Sequence, residues 1–476
     1  MSNHSLLIKN TTIYAIGDIC PKLVGLIIFP ILTSHLSVSE YGIINYINTL
    51  DVFLSTFSIL GLNTYFMVFY YRVNTEDEKK RLLGNISIAV FLFTIIICLL
   101  LHVLGPYIFQ QLGSNVDFYP YISLGILINM CNVVTYLPTC LYRVQERPLP
   151  LTVLNVLKSI LIMIGSALVV TIIPGQAFEV LQVRFIISLL FAVVFILSVR
   201  QHTKWNINIP QLKHALKFSI PLLPGTLSYY IFSLSDRILI DKFLSLKDLG
   251  IYSTAATLAL MLNIISSGAY KAFEPYFFQH IKDSDFSQRF QKVRDWLLVI
   301  VLFCAACLSV YAKDFFVLFS SMEYWDSYRY VPVIMIGVVA SSISLMYSTI
   351  IIAKEKTVAN TLITMLGAIV SIVLNIIFLP KLGIIAASVN FSISFIVVLG
   401  VSIKVSKIKL SHFRAWITSI IVVGLTFIGA YAIQFDDFFM TITIKALYLI
   451  LIGAISCLCL GINPVKLISV FQKNKQ

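Results

Sequence analysis

Residues 331–353 read VPVIMIGVVASSISLMYSTIIIA, without a single charged side chain. About 20 apolar residues suffice for a helix to cross the hydrocarbon core of a bilayer, and this run is long enough. Working outward from it, similar stretches fall at about 12–33, 43–69, 86–109, 119–142, 151–173, 181–199, 218–240, 250–273, 294–319, 358–379, 383–403, 415–433 and 442–462. No soluble domain fits between them. The sequence therefore predicts an all-α polytopic membrane protein with 14 transmembrane helices. A β-barrel would instead show short segments of alternating polarity.

Composition agrees. Of 476 residues, 58% are hydrophobic and only 12% charged, against about 25% charged in soluble proteins. The net charge of +13 does not point to nucleic acid, because loops facing the cytoplasm collect Lys and Arg. No GxxxxGK[ST] loop is present, so ATP coupling within the chain is not expected. The eight cysteines lie in or beside apolar spans, and Cys304-x-x-Cys307 reads as core packing despite its redox-motif spacing. The histidines form no HExxH cluster, so neither cofactor nor metal is expected. The first span reads as a retained helix and not as a signal peptide.

Charge also orients the spans. With the N-terminus in the cytoplasm, the even-numbered connections and both tails carry twenty-four Lys and Arg, among them Arg72, Arg81, Lys204, Arg294, Lys354 and Lys356. The opposite loops carry four: Lys242, Lys247, Arg329 and Lys381. This asymmetry predicts that both termini are cytoplasmic. The connections near 200–217 and 274–293 contain stretches, Ile207 to Phe218 and Phe286 to Trp296, amphipathic enough to lie on a membrane surface.

An octapeptide occurs twice. Leu36-Ser37-Val38-Ser39-Glu40-Tyr41-Gly42-Ile43 follows the first span, and Leu244-Ser245-Leu246-Lys247-Asp248-Leu249-Gly250-Ile251 follows the seventh. The separation corresponds to six spans, which predicts two parallel six-helix lobes plus two C-terminal helices. The expected divisions are 1–200, 201–410 and 411–476. In each copy the acid can cap the following helix and the glycine permits a tight turn.

Charges at bilayer depth are costly unless paired or lining a wet cavity. Those in the spans are Asp18, Lys22, Asp51, Lys158, Arg184, Asp236, Arg237, Asp241, Lys271, Glu274, Lys313, Asp314 and Lys445. Asp18 with Lys22, and Lys271 with Glu274, have the spacing of local helix pairs. Lys313, Asp314 and Lys445 can reach an interface by snorkelling, and so can Arg184, near the outer end of its span. Lys158 has no acid within four residues. Asp236 and Arg237 are adjacent, and adjacent helical residues do not face each other. The cations Lys22, Lys158, Arg184 and Arg237 are therefore candidates to line a cavity. Such a cavity suits an anion, above all phosphate or pyrophosphate. Acids in it could exchange a proton or hold Na⁺. Intramembrane asparagines such as Asn129, Asn132 and Asn155 suit sugars or serve as interhelical glue.

The first helix and its exit, Gly17-Asp18 through Lys22, Phe29-Pro30 and Leu36-Ser37-x-x-Glu40-Tyr41-Gly42, resemble the bacterial O-antigen and capsular polysaccharide flippases. So do Phe218-Ser219-Ile220-Pro221-Leu222-x-Pro224, Asp236-Arg237-x-x-Ile240, Leu249-Gly250-Ile251-Tyr252 and Lys354-Glu355-Lys356. That resemblance, covering the whole chain, implies the multidrug/oligosaccharidyl-lipid/polysaccharide exporter fold, located in the bacterial inner membrane. It implies alternating access that moves an undecaprenyl-pyrophosphate-linked oligosaccharide to the periplasmic leaflet. Lys22, Lys158, Arg184 and Arg237 would bind the substrate, and Asp18, Asp51 or Asp236 would couple an ion, H⁺ or Na⁺. Besides membrane lipids, implied partners are a polysaccharide polymerase and a chain-length regulator. Alternatives are a multidrug transporter or a carrier of another lipid-linked precursor, both of the same fold, a membrane polysaccharide polymerase, and a structural scaffold. A carrier of cationic drugs would favour carboxylates over Lys and Arg, and a polymerase would need larger outer loops.

Overall fold

In the computed structural model of the chain, the described residues are 23–25, 27–173, 175–267, 283–408, 413–433 and 438–462, with Ile13, Gly17, Cys20, Pro21, Tyr270, Phe277 and Ile281. Among them the secondary structure is helical throughout, with no strand. Met1–Gly250 forms one compact unit and Ile251–Gln476 another.

The first unit contains α1 (Val38–Ile59), α2 (Leu62–Tyr70), α3 (Glu76–Leu112), α4 (Ser123–Val133), α5 (Tyr136–Val144), α6 (Pro148–Ile172), α7 (Ala177–Val199), α8 (Ile209–Ser219) and α9 (Leu223–Phe243). The first turns of α10 (Leu246–Leu260) complete it. Local chemistry sets the boundaries. The Ser37 hydroxyl accepts the Glu40 N–H at 3.3 Å and starts α1. Thr75 and Glu78 close a capping box at the start of α3. Leu60 and Gly61, at φ 50° and 71°, break α1 from α2, and the two axes differ by 52°. Left-handed backbone cannot continue a right-handed helix. Pro138 has no N–H to offer the Val134 carbonyl, and the chain breaks between α4 and α5 at that point.

In both copies of the repeated octapeptide the serine hydroxyl caps the following helix, but the acids differ, the Glu40 carboxylate accepting the Ala177 N–H instead. The Ser245 hydroxyl accepts the Asp248 N–H at 3.1 Å, and the Asp248 carboxylate accepts the Ser245 N–H at 3.1 Å. The copies also touch. A Cβ placed on Gly42 would lie 2.6 Å from the Leu246 carbonyl oxygen, and one placed on Gly250 would strike the Val38 carbonyl oxygen. Val38 and Leu246 are equivalent positions of the repeat, so the contact is reciprocal. Just before the second copy, Asp241 is buried and accepts hydrogen bonds from the Ser114 hydroxyl at 2.6 Å and the Asn115 N–H at 3.1 Å.

The second unit comprises α11 (Phe286–Val310), α12 (Ala312–Phe319), α13 (Val331–Ala353), α14 (Thr357–Leu382), α15 (Ile384–Ser406), α16 (Phe413–Ala432) and α17 (Phe438–Leu460). Small residues bring α13 and α15 together, as is usual for helices packed in lipid. The Ser392 hydroxyl accepts the Gly337 N–H at 3.0 Å, and a Cβ on Gly337 would come within 2.7 Å of the Phe391 ring.

Among the described residues, eleven helices are long and apolar enough to cross a membrane, or twelve with α1 and α2 taken as one bent span. Of the fourteen expected spans, the first and seventh lie outside that count. The first is described as an apolar helix only over Leu23–His35. The seventh, α9, carries Asp236, Arg237 and Asp241 and is too polar to qualify. On α3, Leu92, Ile96, Leu99 and Val103 share one face and are exposed, Val103 by 76%. That outward apolar stripe is the surface a lipid tail would cover.

Two expectations are corrected here. Lys445 does not snorkel: it is 0% exposed and its Nζ lies 2.5 Å from the Asp314 carboxylate, joining α17 to α12. Arg294 is not a loop residue. It lies two turns inside α11, buried, with its Nη2 2.6 Å from Asp295 and its Nη1 3.5 Å from the Tyr347 hydroxyl.

Candidate functional site

A cavity of about 600 Å³ opens within the first unit. Its wall is built by Gly17 and Pro21, by α1, by the α4–α5 break, by α6 and α7, and by Tyr230 of α9. Each element contributes polar groups for a local reason. On α1, Asn48, Asp51 and Ser55 follow three- and four-residue spacing and form one polar stripe. The Pro138 break turns Asn132, Thr135 and Tyr136 toward the space. Asn155, Lys158 and Ser159 come from α6, and Arg184 and Ser188, one turn apart, from α7.

The charged groups are tied together through amides. Asp51 Oδ1 accepts from Asn129 Nδ2 at 2.7 Å, and Oδ2 from Asn132 Nδ2 at 3.1 Å. Asn132 turns its other face to Lys158, whose Nζ donates to Oδ1 at 2.7 Å. Lys158 and Asp51 are thus linked through one amide without a direct ion pair. Arg184 Nη1 donates to Asn48 Oδ1 at 2.8 Å, and its Nε is buried without a hydrogen-bond partner among the described residues. Among the described residues, two cations and one carboxylate give the lining a net charge of +1. Lys158 retains two donors and Arg184 most of its five. Such a space can hold a phosphate group by several charge-assisted hydrogen bonds. Tyr136 and Tyr230 add aromatic faces against which a sugar ring can pack.

Of the sequence candidates, Asp51, Lys158 and Arg184 come together here. Arg237 and Asp236 do not line this cavity. They are buried on α9, with Arg237 Nη1 3.4 Å from Asp236 Oδ1. The expectation that adjacent residues cannot pair fails because the Asp236 carboxylate folds back onto the Arg237 N–H at 2.9 Å, within reach of the long guanidinium. Asp18 and Lys22 lie outside the described residues, as do Lys271 and Glu274. Asn48, Thr135, Tyr136 and Tyr230 were not singled out from the sequence. Asn48 was recoverable from its spacing to Asp51, whereas Tyr230 arrives only through the packing of α9. Lys354, in the lysine motif after α13, donates to the Ser406 carbonyl at 2.8 Å and caps α15. A second cavity, of about 380 Å³, lies inside the second unit and is apolar apart from Arg294, Tyr347 and Ser419 at its wall.

The family model described as "Polysaccharide biosynthesis protein" matches residues 7–280, more than half of the chain and all of the first-unit cavity. The chain belongs to this family. Its motif-bearing first and seventh spans both fall within the match. A protein of the Lsg locus of Haemophilus influenzae is 26% identical over 300 residues, covering 61% of this chain and 70% of its own length. An uncharacterised membrane protein of the same organism is 26% identical over 314 residues, with 62% and 70% covered. Among solved structures, the lipid II flippase MurJ in an inward closed conformation superposes with a TM-score of 0.76 at 16% identity, covering 93% of this chain and 97% of that one. A MATE transporter of Vibrio cholerae gives 0.60 at 13% identity, covering 85% and 96%. At these identities the likeness is one of fold.

Proposed function

We propose that this chain is a flippase for undecaprenyl-pyrophosphate-linked oligosaccharide repeat units of O-antigen or capsule. It would move them from the cytoplasmic to the periplasmic leaflet of the inner membrane by alternating access. The observation that carries this reading is the convergence of Lys158 and Arg184 on one cavity where, among the described residues, the one lining carboxylate is Asp51, already held by two asparagines. A diphosphate dragged through hydrocarbon would forfeit its hydration. The two cations replace that hydration, Asn155, Ser159 and Ser188 meet sugar hydroxyls, and the prenyl chain stays in lipid. No bond is made or broken. In this reading Asp51 would couple a proton or Na⁺, because a change in its charge alters the net charge that the diphosphate meets. The family match and the likeness to a lipid-linked precursor flippase support the same reading.

The MATE likeness raises export of cationic drugs as a second reading. The lining disfavours it, since two fixed cations repel such cargo.

The test is deletion of the gene followed by leaflet-resolved analysis of lipid-linked repeat units. Accumulation on the cytoplasmic side is expected, reversed by the parent gene and not by Lys158→Ala/Arg184→Ala at equal membrane levels. Normal periplasmic delivery in the deletion strain would refute the assignment.

A further inference from the structure

The amphipathic segment before α9 has no part in the cavity, yet it helps build a second polar site. The chain from Thr203 to Asn208 lies across the first turns of α3, where Gly84 lets the Lys204 carbonyl approach. Asn85, buried, fixes the crossing. Its Nδ2 donates to the Asn208 carbonyl at 3.1 Å and to Gln211 Oε1 at 2.8 Å, and its Oδ1 accepts the Asn208 N–H at 3.0 Å. Between this crossing and the end of α2 lies a cleft of about 420 Å³, walled by Arg72, Asn74, Arg81, Asn206, Asn208 and Gln211.

The cleft is built for an anion. The Arg72 guanidinium rests 4.7 Å from the centroid of the Phe69 ring and makes no ion pair among the described residues. Arg81 gives only its Nε to Asp77, at 2.8 Å, so its terminal nitrogens are available. Asp77 is also paired with Lys204. Among the described residues, Glu78 is the one carboxylate on the wall, and its Oε2 accepts the Thr75 N–H at 3.3 Å in the capping box. The wall therefore has a net positive charge with forked donors suited to phosphate oxygens.

Beside the cleft, Tyr71, Trp205, Ile207 and Ile209 are each more than half exposed. Trp205 stacks on Phe91 of α3 with centroids 6.2 Å apart. The Trp205 backbone lies against Gly84, three residues or about 4.5 Å beyond Arg81 along α3, and its ring extends toward Phe91, ten residues or about 15 Å beyond. A headgroup layer is about 5–8 Å thick, so the indole lies where that layer meets the acyl chains. An arginine pair at one level and an exposed indole with isoleucines at the next match a phosphate head and its tails.

We propose that this cleft binds the phosphate headgroup of an anionic phospholipid, with its acyl chains lying along α3 beside Trp205. The site is independent of the transported substrate and anchors the amphipathic connection to the bilayer surface.

The test uses the full chain in neutral detergent, titrated with phosphatidylglycerol or phosphatidylcholine bearing brominated acyl chains. Quenching of tryptophan fluorescence is read, with Trp205→Phe isolating the Trp205 share. Phosphatidylglycerol should reach half-quenching at about fivefold lower concentration, as expected from one net surface charge. The preference should vanish in Arg72→Gln/Arg81→Gln. Equal half-points for the two lipids, or a preference that survives in the double variant, would overturn the site. Glycerol phosphate at matched concentration should leave the quenching in place, and displacement by it would reassign the cleft to a soluble phosphate. Should the double variant not purify, the parent protein in 1 M salt decides, where screening extends to about 3 Å. A preference unchanged there would equally refute the proposal.

Discussion

Replacing Lys158 by Met separates binding from folding. The thioether chain keeps similar length and bulk but loses the charge. Asp51 keeps both amide donors, from Asn129 at 2.7 Å and from Asn132 at 3.1 Å, so no buried carboxylate is orphaned. The Asn132 carbonyl oxygen that loses Lys158 faces the cavity and can take water. Folding should therefore survive. Binding should not: a charge-assisted hydrogen bond contributes about 1.5–3 kcal/mol, and losing about 2 kcal/mol raises Kd about thirtyfold. Arg184→Met should behave similarly, because its only described hydrogen bond is to Asn48. If both side chains grip one diphosphate, the double variant should fall short of the summed losses. The assay is equilibrium binding of farnesyl diphosphate to the purified protein, with farnesyl alcohol as the uncharged control. Single variants within twofold of the parent, or equal binding of the alcohol, would refute the argument.

Other outcomes follow from the packing. Lys445→Met should destabilise the protein by about 3 kcal/mol, because it leaves Asp314 partly buried without its cation. Lys445→Met/Asp314→Leu should recover most of that loss in detergent unfolding, and failure to recover would mean that the pair is not the cause. Gly250→Ala should cost about 1–3 kcal/mol by overpacking, and more than Gly42→Ala, because its Cβ meets the backbone oxygen more closely; thermal unfolding of the two variants measures the order. Gly61→Val should cost about 1–2 kcal/mol, since a branched side chain is forced to φ 71° at the bend, and unchanged unfolding would show that the bend can relax.

Much of the architecture was legible because lipid permits few choices. Long apolar runs can only be helices. The acid of each octapeptide was expected to cap the following helix; Asp248 does so by accepting the Ser245 N–H, whereas Glu40 turns to the Ala177 N–H and Ser37 supplies the cap of α1. The site was legible in part. Depth marked Asp51, Lys158 and Arg184 as costly and hence useful, and all three line one cavity. Depth says nothing about azimuth or partners, however. Arg237 is equally deep and pairs with its neighbour, and Lys445 finds Asp314 131 residues away. Both pairings depend on side-chain reach and on helix neighbours that periodicity does not encode. The same limit hid Tyr230.

The meeting of Gly42 with Gly250 ties the evolutionary histories of the two octapeptides together. Each backbone oxygen polices the size of the other copy's seventh residue, so neither locus can drift to a bulkier side chain alone. Any enlargement at one would need a retreat of the opposing strand of peptide, and that retreat would disturb the serine cap which begins it. Differences between the two octapeptides are thereby left to their outward residues, such as Ser39 and Lys247.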